Sequence, residues 1–537
     1  RNDVISAAGG VSATLSETTA TIESRTEAFI GAFAGVVATD IATGVNVGSG
    51  DIDIDADSTM SATTESKGGG FAGLGVLSIF KPTAEVKGAT RAYVREGVDV
   101  QTGTLDVTAG TAADKVKYDS YAQAFAVGVS FGLAAQNLEA EAKITGVVEA
   151  FLGASLDVAG GGDPNAEIVI TNAGSPLTVT AYSDIDAIAD TDGAGVGLAV
   201  TVAAYSPTAD AGGTTRAFVG DGIDLVGPDL KLEANGDAHA DSDLFNLSLS
   251  AGANVTTLRP IAKVTNIVEA FVGRSVDSAS GDQSVIVLRD SNNNKKNADI
   301  DAVSSSLADA ETTGISIAGG ITVSFAKADA QLLGGTRAYI GKNTDLTAAN
   351  VDMLADELSA LAVSTVLNVA AAGLAAISDL ESIATASRET ESFVGANSIV
   401  KLGGGTLTAR ADTTMGSPMT DARITSGSGA GIANVTLLKA TSQVGASLTQ
   451  DSATRAFIDN GANVTAGNVV LDADATTEAK AVVDPVGGAG IANISSTNIV
   501  ATAAHDSEAY VGDNATLTLS GTLTVTADTY TSAKPSS

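Results

Sequence analysis

Apolar and polar residues alternate along most of this 537-residue chain, in runs that close on alanine. Leu105-Val107-Ala109, Leu177-Val179-Ala181, Leu230-Leu232-Ala234, Val469-Leu471-Ala473 and Leu523-Val525-Ala527 each set apolar residues two apart. A period of two puts such residues on one face of a strand, and the bounding Gly, Asn and Asp supply turns. Each run continues into an Ala/Ser/Thr-rich stretch and then a glycine-rich bend. Such bends are read at Gly193-Ala194-Gly195-Val196, from Gly429 to Asn434 and from Gly488 to Asn493. A further strand follows each bend. Helical periodicity is weak throughout, so the pattern predicts an all-β chain with several strands per repeat.

The strand after the bend ends in a motif that returns nine times: a small residue, an aromatic, a branched apolar residue. The aromatics are Phe29, Tyr93, Phe151, Phe218, Phe271, Tyr339, Phe393, Phe457 and Tyr510, spaced 53 to 68 residues apart. Two places before each aromatic stands a charge, and its sign alternates without exception: Glu27, Arg91, Glu149, Arg216, Glu269, Arg337, Glu391, Arg455, Glu508. In a strand the charge and the aromatic share a face. If successive copies stack in one sheet, alternating signs attract across neighbours where like charges would repel. Duplication of a two-part ancestor, with no ladder, produces the same alternation.

Self-similarity at such a period is the signature of a stacked repeat architecture. The expected fold is an elongated all-β solenoid (a β-helix), right-handed by default, of nine half-repeats of about 60 residues arranged as pairs of about 120. Residues 1–537 read as one continuous array that begins and ends mid-repeat. Either it belongs to a longer polypeptide, or two copies complete a repeat head to tail, since open solenoid ends present unpaired sheet edges. The copies after Phe29, Phe151 and Phe271 carry insertions, with 27, 30 and 31 positions before the closing Ala in place of the 16 of shorter copies. These insertions, which include Gly160 to Asn165 and the hydrophilic run Asp290 to Asn297, are expected as exposed loops on one side.

Composition narrows the functional classes. Apolar residues make up 44% but aromatics only 4%, with no Trp and 59 Gly, so the core must be built from small and branched side chains. Asp and Glu (63) outnumber Lys and Arg (29), for a net charge of −34. That argues against nucleic acid, whose phosphates need basic patches. The lack of Cys excludes disulfides and thiolate metal sites. No secretory signal opens the chain, and no run of 18 apolar residues predicts a membrane-spanning helix.

Candidate chemistry is sparse. Asp51, Asp53, Asp55 and Asp57 line one face of a strand, and hard oxygen ligands so grouped suit Ca²⁺. Asp184, Asp186, Asp190 and Asp192 form a second acidic group, and Asp237, Asp241 and Asp243 a third. Neither the EF-hand spacing nor a tandem Gly-Gly-x-Gly-x-Asp repeat occurs, and a solvated acidic face is the plainer reading. His239 and His505 read as structural, because His505-Asp506-Ser507 are consecutive on a strand and point to opposite faces. Arg410, Asp412 and Arg423 are the best fragments of a carboxylate groove, and they form no motif. No catalytic residue or cofactor is assigned, and the chain reads as a non-enzyme.

One stretch carries a resemblance. Phe457 to Ala466, with Asn460-Gly461-Ala462-Asn463-Val464-Thr465-Ala466, together with the apolar-x-Val-x-Ala runs and Gly-Ala-Gly bends, resembles bacterial β-strand repeat surface proteins of the filamentous-haemagglutinin-like and autotransporter-like kind. The resemblance covers essentially the whole chain. It implies a β-solenoid, secretion to the cell surface or medium, and a structural role in a fibre, sheath, biofilm or adhesin stalk. The implied partners are other copies of the chain, head to tail or lateral, and cell-surface glycans or host surfaces. A carbohydrate-binding or carbohydrate-cleaving β-helix and a Ca²⁺-rigidified adhesin stalk are the alternatives.

Overall fold

A computed structural model describes residues 1–31, 43–154, 156, 166–171, 175–220, 223–276, 284–290, 292–414, 419–445 and 452–537. Among the described residues about 80% are strand and none is helix, as the alternation predicts. Among the described residues no helix is long and apolar enough to cross a membrane.

Each copy of the repeat makes one turn of a parallel β-solenoid, and one turn shows the plan. Leu177–Gly197 runs along a first sheet, and the chain reverses at Leu198 and Ala199. Val200–Tyr205 and Thr208–Val219 return along a second sheet, and Ile223–Gly227 crosses a short third one. The next turn starts at Leu230, which sits directly on Leu177. The register then holds without slip for 21 positions, from Leu177 on Leu230 to Gly197 on Ser250. The three sheets hold 13, 19 and 9 strands. At about 3.3 Å per residue, a 21-residue strand makes the long side of the coil about 70 Å. At about 4.8 Å per turn, the eight steps between the nine strands of the short sheet advance about 38 Å along the axis. The coil is therefore a flattened wedge, broad at the short sheet and thin at the glycine bends.

The filling of the wedge follows its width. At the broad end Leu105, Leu177, Leu230, Val351, Leu407 and Val469 occupy one internal column and are buried. Identical or similar aliphatic residues thus stack from turn to turn, each excluding water from the next. Toward the thin end the inward residues shrink to Ala, Ser, Thr, Gly and Asn. Their polar groups bond to one another: Asn254 Nδ2 donates to the Ser248 carbonyl at 2.8 Å, Thr256 to Ser324 at 3.0 Å, and Ser324 to Asn368 at 2.9 Å.

One sequence expectation moves here. Gly193 and Gly195 do not form the bend, which falls at Leu198 and Ala199. They lie inside the strand and face the core, where a Cβ on Gly193 would collide with the Tyr205 ring and hydroxyl. Tyr205 in turn hydrogen-bonds Gln136, whose amide donates to the Ala194 carbonyl at 2.9 Å. The glycines make room for a side chain, not for a turn.

Candidate functional site: an aromatic and ionic ladder

The nine motif aromatics lie on the second sheet, one per turn and in register: Phe29 on Tyr93, Tyr93 on Phe151, and so on to Phe457 on Tyr510. Their rings stack nearly parallel, with centroids 4.7 to 5.1 Å apart and planes within 3° to 7°. The strand spacing itself sets this distance, because identical positions on adjacent parallel strands are one hydrogen-bond repeat apart. Each offset-stacked pair is worth roughly 0.5–1.5 kcal/mol beyond area burial.

The charges two positions earlier form a second ladder beside the first. Every Arg lies between two Glu. Arg91 Nε reaches Glu149 at 2.8 Å, Arg216 Nε reaches Glu269 at 2.7 Å, Arg337 Nε reaches Glu391 at 3.1 Å, and Arg455 Nε reaches Glu508 at 3.1 Å. The other side of each guanidinium faces the preceding carboxylate. Arg91 meets Glu27 at 3.5 Å, Arg216 meets Glu149 at 3.5 Å, Arg337 meets Glu269 at 3.4 Å, and Arg455 meets Glu391 at 3.3 Å. The alternation read from the sequence is thus a single file of ion pairs. Burial alone would favour the neutral guanidinium, but the flanking carboxylates outweigh it and hold Arg216 and Arg337 above their ordinary range.

The position of the ladder is unexpected. Ala150 and Leu152 on the same strand enter the main core, so Glu149 and Phe151 point away from it. Yet Glu149 and Phe151 are buried. A second, separate cluster encloses them, with Leu156 and Val276 packed against the aromatic file. The Val276 amide donates to the Tyr339 hydroxyl at 3.4 Å, and Ser275 bonds the same hydroxyl. Leu156, Ser275 and Val276 begin two of the insertions. Where described, then, those insertions start by folding onto the ladder instead of projecting as loops, because an apolar stack left in water would forfeit its burial energy. Residues 160–165 lie outside the described residues. The Asp290 to Asn297 run is the exposed loop expected, closed by Asp290 Oδ1 accepting from the Asn292 and Asn294 amides at 2.9 and 2.8 Å.

Turn chemistry separates the two kinds of copy. After Phe29, Phe151 and Phe271, the glycine two residues on (Gly31, Gly153, Gly273) has φ of 111°, 99° and 88°. In the shorter copies described at this point the left-handed residue comes four after the aromatic: Gly97, Asn343, Asn397, Gly461 and Asn514. Gly and Asn tolerate that region, and the offset of two or four decides whether the chain turns early toward the ladder or runs on to the short sheet. The signal was present in the sequence, but its meaning depends on the backbone angle.

The acidic candidates are placed differently. Asp51, Asp53 and Asp55 lie on an exposed strand face, opposite Thr104, Asp106 and Thr108 of the next turn, and Asp57 follows in the turn. Alternate residues of a strand are about 6.6 Å apart, too far to converge on an ion held at about 2.3–2.6 Å. Among the described residues no group of three or more acidic or His side chains is arranged to hold a metal ion. The second and third acidic groups, separate in sequence, merge on the outer face of the first sheet: Asp184 lies on Asp237, Asp190 on Asp243, and Asp243 on Glu311. Burial and then the neighbouring Asp241 and Glu311 push the Asp243 carboxyl up to about 7.

Both histidines have structural partners. His505 is buried, with Nδ1 2.8 Å from Ser452 and Nε2 2.8 Å from Thr454, and burial lowers its pKa to about 4. His239 Nδ1 lies 3.2 Å from Asp186 on the turn before it, and that hydrogen bond raises its pKa. Arg423 is held by Asp421, two positions before it on its own strand, and Arg410 and Asp412 lie on the preceding strand of the same turn, Thr406–Thr414, with which the Arg423 strand does not pair. Comparison with protein-family models, with curated proteins and with solved structures finds no match.

Proposed function

We propose that this chain is a structural segment of an extracellular bacterial fibre, sheath or adhesin stalk. One observation carries the reading: the aromatic and ionic files run in register through every turn from Phe29 to Tyr510. A binding or catalytic protein concentrates unusual groups at one place, whereas here the same groups recur at every level of the axis. Repetition of that kind serves stiffness. Each turn is tied to its neighbours by backbone ladders, by one ring stack and by an ion pair on either side, so bending must break all three together. The alternating charges also penalise any slip by one turn, which would set Glu against Glu and Arg against Arg.

The test is immunogold electron microscopy of cells that make the protein. Label along surface filaments or in a matrix outside the cell supports the reading. Label confined to the cytoplasm rejects it.

A further inference from the structure

The thin end of the wedge is inside out. Its inward residues are mostly Ser, Thr, Asn and Gln, several of them hydrogen-bonded to one another, while its outward residues are mostly apolar on both faces and at the tip. Phe131, Leu198, Leu374 and Ile432 stand at the bends, Phe131 with 75% of its surface exposed. Phe245 and Ile317 are exposed on the first-sheet face, and Ile377 and Leu437 on the second-sheet face. Charge is sparse on this fin: none occurs between Asp192 and Asp210, between Asp243 and Arg259, or between Glu311 and Lys327, although Asp192 lies beside Phe245 and Asp379 beside Leu437 on adjacent turns. The backbone at the bends is already paired from turn to turn, as in Leu198 N to Ser130 O at 3.1 Å and Gly320 N to Gly252 O at 2.9 Å. What the fin offers a partner is therefore side-chain surface, not a sheet edge.

We propose that the fin is a lateral docking surface for further copies of this chain, the first-sheet face of one fin lying against the second-sheet face of the next, with the solenoid axes parallel. Three observations select this occupant. The first is area. A face about 20 Å deep and about 38 Å along the axis offers on the order of 760 Å², close to the roughly 800 Å² per partner of a stable interface. The second is that both faces are apolar. A two-fold pair would cover one face of each fin, whereas a head-to-tail lateral contact uses both and repeats.

The third is charge. On two consecutive turns the first-sheet rim carries Asp243 and Glu311, followed by Thr365 and Arg423, and among the described residues no cation of the chain forms a salt bridge with either acid. The second-sheet rim carries Arg259 and Lys327, followed by Glu381 and Lys439, with Lys327 3.4 Å from Glu381. Asp243 lies eight residues before Ala251 at the bend and Arg259 eight after it. Glu311 lies eight before Gly319 and Lys327 eight after it. Acid and base thus sit on opposite faces of the fin, in the same turn and at equal depth. Sideways translation of one copy onto the next brings Asp243 to Arg259 and Glu311 to Lys327 at the same height, against one like pair, Arg423 with Lys439. Like faces would instead bring Asp243 and Glu311 against their own kind.

The inference concerns the fin alone and stands whether or not the chain is extracellular. Sedimentation of the full chain over a concentration series tests it. The wild type is expected to associate reversibly, and Ile317→Asp to weaken association at least tenfold. Arg259→Glu should weaken it about threefold to tenfold, as rim charges do, with Asp243→Arg in the same chain restoring most of the loss. The exchanged charges are on the surface and keep the test valid if Ile317→Asp fails to fold. A wild type that sediments as a single copy at every concentration overturns the proposal. So does a double variant no better than Arg259→Glu, which would place any association elsewhere, such as at the solenoid ends. Co-flotation with phosphatidylcholine vesicles by a chain that does not self-associate would make lipid the occupant and also overturn it.

Discussion

The broad and thin ends of the coil solve the same packing problem in opposite ways. At the broad end the interior is aliphatic, and the outer face of the second sheet carries charges and aromatics under a cover of their own. At the thin end the interior is a hydrogen-bonded seam of small polar residues, and the exterior is Val, Ile, Leu and Phe. Both ends alternate with the same period of two, so the pattern does not distinguish them. The space between the sheets does. Where the sheets are far apart, Leu and Val fill the gap and gain their burial energy. Where they converge toward a two-residue bend, Gly, Ala, Ser, Thr, Asn and Gln fill most inward positions, and most larger apolar residues are left outside.

The largest effect that would break this contrast lies in the ladder. Arg216→Glu would set three carboxylates in a row, with Glu149 and Glu269 buried on either side. Removing one partner of a buried pair costs about 3–5 kcal/mol, and reversing its sign costs at least that. Thermal unfolding followed by circular dichroism should show a large fall in Tm. An unchanged Tm would remove the ladder from any account of stability.

A smaller pair of changes compares the two interiors directly. Val179→Thr buries a hydroxyl among Leu177, Leu232 and their aliphatic neighbours and should cost about 1–3 kcal/mol. Thr256→Val, at the thin end, removes hydrogen bonds of 3.0 and 3.3 Å to Ser324 and Ser316 and should cost about 1 kcal/mol or less. Urea midpoints of the two variants give the order. Equal losses would mean that the thin end is packed as an ordinary apolar core.

The smallest effect per group is that of pH on the acidic face between the two ends. Burial comes first and neighbouring carboxylates second in pushing Asp243 and Asp301 up to about 7 and Asp309 to about 6. Folded pKa values above the unfolded value of about 3.9 mean that the folded chain holds these protons more tightly. The stabilisation is complete below about pH 4 and is lost as pH rises through 6 to 7. His239, raised by Asp186, acts in the same sense, while His505, lowered to about 4, opposes it as pH falls below about 6.5. Tm should therefore rise between pH 8 and about 5.5, and Asp243→Asn should flatten the rise. A Tm that falls over this interval would contradict the reading of the face.

The sequence by itself determined the strands, the period and the composition of both files. Alternation needs no tertiary information, because side chains of a strand alternate sides whatever the strand packs against. The strict Glu/Arg order likewise has meaning only between neighbouring turns, and the register from Glu27 on Arg91 to Arg455 on Glu508 makes them neighbours. Three things were decided only in space. The ladder faces outward and is still buried, because Leu156, Ser275 and Val276 pack against it. Two acidic groups some 50 residues apart became one face, because one turn of the solenoid is about that long. The glycines before Leu198 serve Tyr205 and not the bend, because a ring on the opposite sheet needs the room. Each depends on which residues meet across turns or between sheets, and a period of two along the strand carries no record of distance across it.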